Sequence, residues 1–137
     1  MTTRRNRMAN QSTNIGAHSE LVAATALLAA GYEVARPLAA ESYDLAARDP
    51  VTGEWATYQV KTARYRPDRN AYVVYATRTN GEAYTRDDCD YLIGVLDDAV
   101  YVIENREIGE YWVSPDNIDA KWRKLTVGIR KETKEAV

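Results

Sequence analysis

The 137-residue chain is predicted to fold as one α/β domain, on the α+β borderline, with a mixed central β-sheet flanked by helices. Three features point there. An alanine-rich helical segment lies near the N-terminus, several short β-branched and aromatic runs follow it, and turn residues punctuate those runs. The order read along the chain is helix, strand, hairpin, further strands, short helix, strands. A chain of this length buries a single core.

Residues 1–13 carry Arg4, Arg5 and Arg7 in a polar stretch without periodicity and read as a flexible basic arm. The domain is expected over 14–127. It opens with NIGAHSELVAATALLAAGYEV, where Thr13 or Asn14 is placed to cap a helix and Gly31 to end it in a left-handed conformation. Helical spacing puts Gly16, Glu20, Ala23, Ala24 and Leu27 on one face, so an acid lies on or beside a face of small residues. His18, in the first turns, reads as a surface residue.

YEVARP is a short strand and YDLAAR a second. DPVTGE is turn chemistry, with Pro50 fixing φ and Gly53 free to take φ > 0, and WATYQVKTA is the return strand of a hairpin. After an Arg-rich loop containing Pro67 and Asn70 comes the strand AYVVYATRT, closed by Asn80-Gly81. RDDCD suits a single helical turn, with Tyr84, Asp87 and Asp90 capping and ending it. YLIGVL and VYVIE flank the tight turn DDA, and EYWVSP is a further strand. A last helix is expected at or after Pro115, with Asp116 as cap and Trp122 and Leu125 as anchors. Residues 128–137 read as a basic C-terminal tail. Tyr91, Trp112 and Trp122 are assigned to the core.

One cysteine, Cys89, and one histidine, His18, exclude an intramolecular disulfide and a Cys/His zinc set. No apolar run approaches the roughly 20 residues that span a bilayer, and the basic N-terminus lacks the apolar centre of a signal peptide. An intracellular, cytoplasmic protein with no membrane partner is expected. The net charge of −2 hides an uneven layout. Lys61, Arg64, Arg66, Arg69 and Arg78 face only Asp68 in their stretch, while the acids gather later, an arrangement expected either to give one face a potential able to hold phosphates or to be a solvated, arginine-rich loop.

Alternation along a strand puts Gln59 and Lys61 on one side and Val60 on the other. Pairing about the centre of the DPVTGE turn sets Asp44 across from Gln59 and diagonal to Lys61, and a bulge at Gly53 would shift that register. Glu20, from the covering helix, is the fourth member. Carboxylates of Asp44 and Glu20, the Gln59 amide oxygen and the Val60 carbonyl are hard oxygen donors that suit Mg²⁺, or Mn²⁺ in its place. Beside such an ion, the Lys61 ammonium would orient a water and screen a phosphate, which is the chemistry of phosphodiester hydrolysis.

Glu20 on a helix, Asp44 on a strand and QVK at 59–61 on the next strand resemble, in that order, the PD-(D/E)XK nuclease superfamily. YDL, QVKTAR and TRTN are similar to the QxK branch of group I intron-encoded homing endonucleases of cyanobacteria, over about Ile15 to Pro115. The resemblance implies a restriction-endonuclease-like core of αβββαβ order and a Mg²⁺-dependent endodeoxyribonuclease, bacterial or phage-encoded. By the same resemblance, Glu20, Asp44 and Gln59 surround the metal and Lys61 is the catalytic lysine. Arg64, Arg66 and Arg78 contact DNA, and a homodimer or homotetramer brings two sites to a duplex. Two positions depart from the superfamily pattern: Tyr43 stands where Pro is usual, and Gln59 replaces the second carboxylate, as in the branch itself. The rival functions are a Holliday-junction resolvase acting on branched DNA and a non-catalytic DNA-binding module that keeps the fold.

Overall fold

The computed structural model describes residues 9–126. Most of the basic arm, with Arg4, Arg5 and Arg7, and the tail from residue 128 lie outside them. Helix α1 spans Gln11–Ala29 and starts earlier than expected, because Asn10 rather than Thr13 or Asn14 accepts the Thr13 N–H at 3.1 Å. Its end is as expected. Gly31 takes φ +95°, and the Gly31 and Tyr32 N–H groups return to the Leu28 and Leu27 carbonyls, the paired bonds of a Schellman cap.

The strands are β1 Glu33–Ala35, β2 Leu45–Arg48, β3 Trp55–Thr62, β4 Arg64–Arg66, β5 Ala71–Tyr75, β6 Tyr91–Leu96, β7 Ala99–Glu104, β8 Glu110–Val113 and β9 Arg123–Lys124. Six of them form a sheet ordered β1-β2-β3-β6-β7-β9, mixed because β3 and β6 run parallel while every other pair is antiparallel. The α/β class with a mixed sheet is therefore the one found. The hairpin register matches the turn-centred expectation, with Leu45 opposite Tyr58 and Arg48 opposite Trp55. Asp49 builds the turn by accepting the Val51 N–H at 2.7 Å, and Gly53 takes φ +75° without shifting the pairing.

AYVVYATRT does not join that sheet. Its β5 pairs with β4 and β8 in a separate three-stranded antiparallel sheet. The chain passes from one sheet to the other at buried Ala63, whose N–H still reaches Val95 O at 2.8 Å. The second flank of the large sheet is thus this small sheet. The helical turn expected at RDDCD is a hydrogen-bonded turn from Thr85, and the C-terminal helix is reduced. A 3₁₀ turn, Pro115–Asn117, runs into the four-residue α2, Ile118–Lys121, with Asp116 inside the first turn rather than capping it. Trp122 is buried as expected.

Three layers result. On one side of the large sheet, Ala23 and Leu27 of α1 pack on Leu45, Ala47, Tyr58, Val60, Ile93 and Val95. On the other, Leu92, Tyr101 and Ile103 pack with Val74, Tyr111, Val113 and Trp122. Gly94 sets the second spacing: a Cβ there would lie 2.9 Å from Val74 Cγ2, so the small sheet approaches only because position 94 has none. Among the described residues no helix is long and apolar enough to cross a membrane.

Candidate active site and basic groove

The β2–β3 ladder ends at Leu45–Tyr58, and β3 runs on past it. Asp44, one residue before β2, closes the gap in two ways: its N–H donates to Tyr58 O at 2.9 Å and its Oδ2 accepts the Val60 N–H at 2.8 Å. The carboxylate stands in for a missing strand partner. Within a strand residue, N–H and C=O point to the same side, so the Val60 carbonyl faces the same open margin as Asp44.

Tyr58 and Val60 are buried in the layer beneath α1, so Gln59 and Lys61 turn to the opposite face. There the Lys61 ammonium stands 5.1 Å from the centre of the Tyr84 ring. Tyr84, expected in a capping motif, instead forms a floor under the lysine. An ammonium over a ring face is worth about 0.5–2 kcal/mol, more when partly desolvated, enough to favour one position of a flexible side chain. Burial holds the Asp44 carboxyl above its ordinary range, and the Val60 N–H together with the charges of Lys61 and Arg36 draws it part of the way back.

Glu20 arrives from α1, on the other side of the sheet, and shares a cavity of about 320 Å³ with Arg36, Glu41, Tyr43 and Asp44. Its Oε1 is engaged by Arg36 Nη2 at 2.9 Å. The helix face against the sheet is the expected one at Ala23 and Leu27 but is turned toward Ser19 at its start. Ser19, Ala23 and Leu27 are buried while Gly16 is exposed, and Ser19 shares a 2.6 Å hydroxyl–hydroxyl hydrogen bond with Thr62. Nothing local in the sequence to Ser19 or Arg36 names its partner, Thr62 or Glu20. Among the described residues no three His, Cys, Asp or Glu side chains group closely enough to hold a metal by themselves.

A larger groove, about 800 Å³, runs from Gly16 and Ser19 of α1 past Lys61 and Thr62 to Arg64, Arg66 and Tyr75. The three arginines expected to meet DNA differ in their engagements. Arg66 donates Nε and Nη2 to Asp68 at 3.0 and 2.9 Å and Nη1 to the Tyr75 hydroxyl at 2.6 Å, which uses every nitrogen of the guanidinium. Arg78 leans on Asp88 at 3.4 Å. Arg64 has no carboxylate partner among the described residues and opens onto the groove.

Asp90, expected to end a short helix, instead ties the parallel strands together by accepting the Thr57 N–H at 2.8 Å. Asp88 accepts the Thr85 N–H at 2.9 Å and shapes the turn. Trp112, assigned to the core, is only partly covered. It lies on the outer face of the small sheet with the Arg69 guanidinium 4.4 Å from its ring centre.

No family model matches the chain, and no curated protein matches it. Among solved structures it is similar to a bacterial homing endonuclease, I-Ssp6803I. The likeness has a TM-score of 0.61 at 22% identity and covers 76% of this chain and 78% of that one. What this chain shares with that enzyme at such identity is the fold.

Proposed function

We propose that this protein is a metal-dependent endonuclease that hydrolyses phosphodiester bonds in double-stranded DNA, of homing or phage type. The observation that carries the reading is the open margin of β3. There Asp44 is bonded to Val60 beside Lys61, at the head of a basic groove, on a fold shared with a homing endonuclease.

The donor chemistry at the margin fits Mg²⁺, with Mn²⁺ as substitute. Asp44 keeps Oδ1 out of the Val60 bond, the Val60 carbonyl faces the same margin and Glu20 shares the Asp44 cavity, all of them hard oxygens, while Gln59 on the opposite face would join them only around the strand edge. With two carboxylates at most, the set suits an ion that retains several waters. When bound, such an ion supplies an acidified water and neutralises charge on the phosphate. The chain's own groups do the rest. Asp44 is pinned by the Val60 N–H, so its second oxygen is pre-aimed. Lys61, steadied over Tyr84, donates from Nζ to the phosphate and offsets its growing charge. Arg64 and, once released from Asp88, Arg78 hold flanking phosphates. A homodimer or homotetramer would present two such sites to a duplex.

Glu20 joins the ligands only by leaving Arg36. A pair with Arg36 exposed and Glu20 half-buried is worth on the order of 1 kcal/mol, which a divalent ion can outweigh. The same contact, with Gln59 in place of a carboxylate, favours a second reading in which the fold binds DNA without cutting it. Incubation with Mg²⁺ on linear duplex, plasmid and a four-way junction separates the cases. Duplex cleavage abolished by chelation and by Lys61→Ala is expected. Cleavage of the junction alone makes the protein a resolvase, and salt-dependent binding with no cleavage in Mg²⁺ or Mn²⁺ makes it a binding module.

A further inference from the structure

The register of the small sheet places Arg64, Val73 and Trp112 in one row across its three strands, with Arg66–Ala71 and Tyr75–Glu110 in the rows beside it. By alternation these side chains share the face opposite Tyr72, Val74, Tyr111 and Val113, with Val73 itself fully buried there. Arg64, Arg66 and Tyr75 also line the groove that holds Lys61, so this face continues the groove outward.

Two arginines reach Trp112 and are left in opposite states. Arg66 is 5.7 Å from the ring centre with its donors taken by Asp68 and Tyr75. Arg69 lies closer, at 4.4 Å, and has no side-chain hydrogen bond or ion pair to a carboxylate among the described residues. A guanidinium held over a ring by cation–π attraction keeps N–H donors to spare, and its planar fork matches two phosphate oxygens. The ring itself is held: Trp112 Nε1 donates to Glu110 Oε1 at 2.8 Å, and Tyr75 packs edge-on at 6.5 Å. Such a mount reduces the side-chain freedom that a bare surface arginine loses on binding.

We propose that Arg69, mounted on Trp112, is a phosphate ligand for duplex DNA lying along the outer face of the small sheet, with Trp112 as its positioning residue. The inference rests on the DNA-binding reading above and names a contact outside the Lys61 groove.

The test is binding of the full chain to a fluorescent duplex, with chelator present to prevent cleavage, across a series of salt concentrations. Arg69→Ala should lower affinity by about tenfold near 0.1 M salt and reduce the slope of log affinity against log salt by about one, the signature of one lost phosphate contact. Trp112→Leu, which keeps the charge, should weaken binding with the slope retained, and Arg69→Lys should recover the slope without the full affinity. Arg48→Ala removes an equal charge at the distant hairpin, where Arg48 pairs with Glu33, and should leave the slope alone. Circular dichroism of each variant checks folding. An Arg69→Ala protein with the parental slope overturns the proposal while sparing the DNA reading. Parental protein that binds no duplex overturns both.

Discussion

The margin of the large sheet and the outer face of the small one both carry charge, and they handle it differently. At the margin, Asp44 takes the place of a strand partner, is partly desolvated and has its carboxyl held above the ordinary range. On the small sheet Arg66 is surrounded by acceptors and carries its charge into a local pair with Asp68. Counting arginines along the chain therefore overstates the positive field. What a charge can do for a ligand depends on whether the fold has already given it a partner.

The sharpest way to break this contrast is at the margin. Lys61→Ala and Asp44→Asn should each lower cleavage of duplex DNA by about two to four orders of magnitude, measured as single-turnover rates. Asp44→Asn should still fold, because the amide oxygen can accept the Val60 N–H. It also reports the charge directly. An acid whose folded pKa is raised contributes stability that is present below the ordinary carboxylate pKa and lost as pH rises through the folded value. In chelator, the melting temperature of Asp44→Asn should therefore gain on the parent as pH climbs from the acid side.

The next effect tests what holds the two regions at their spacing. Gly94→Ala drives a methyl to 2.9 Å from Val74 and should cost about 1–3 kcal/mol in denaturant unfolding, with the m-value unchanged. Unaltered stability would mean that the sheets can slide apart freely. Smaller still is the difference between two arginines of the basic stretch. Arg64→Ala should weaken duplex binding by about tenfold near 0.1 M salt, with a slope smaller by about one. Arg78→Ala should do less, because Asp88 already offsets Arg78. Last, Arg36→Ala should change stability by about 1 kcal/mol or less, since the Arg36 end of the lost pair is exposed. It should also tighten Mg²⁺ binding by calorimetry, because a competing cation is gone. Weaker binding there would show that Arg36 organises the acids instead of occupying them.

Much of the hairpin is legible in the sequence. Asp49, Gly53 and the two-residue period of the flanking strands leave one register that keeps Leu45 and Ala47 on the buried face, and that register brings Asp44 to the margin of β3, where it bonds to Tyr58 and Val60. The helix end at Gly31 was legible for the same reason: a left-handed position next to an apolar run has few alternatives. The helix start was not. Asn10, Thr13 and Asn14 are all competent caps, and only the path of the chain before α1 selects among them.

By itself, then, the sequence determined the local and period-driven features: an α/β domain, a hairpin with a polar margin, and an arginine-rich stretch after it. Tertiary structure alone decided that β5 leaves the large sheet, that Glu20 rests on Arg36, that Arg66 is consumed by Asp68 and Tyr75, and that Trp112 supports Arg69 on the surface. The physical reason is range. Turn and strand preferences are settled by neighbours in the chain, whereas the partner of a long charged side chain is chosen among all groups within its reach once the layers have packed.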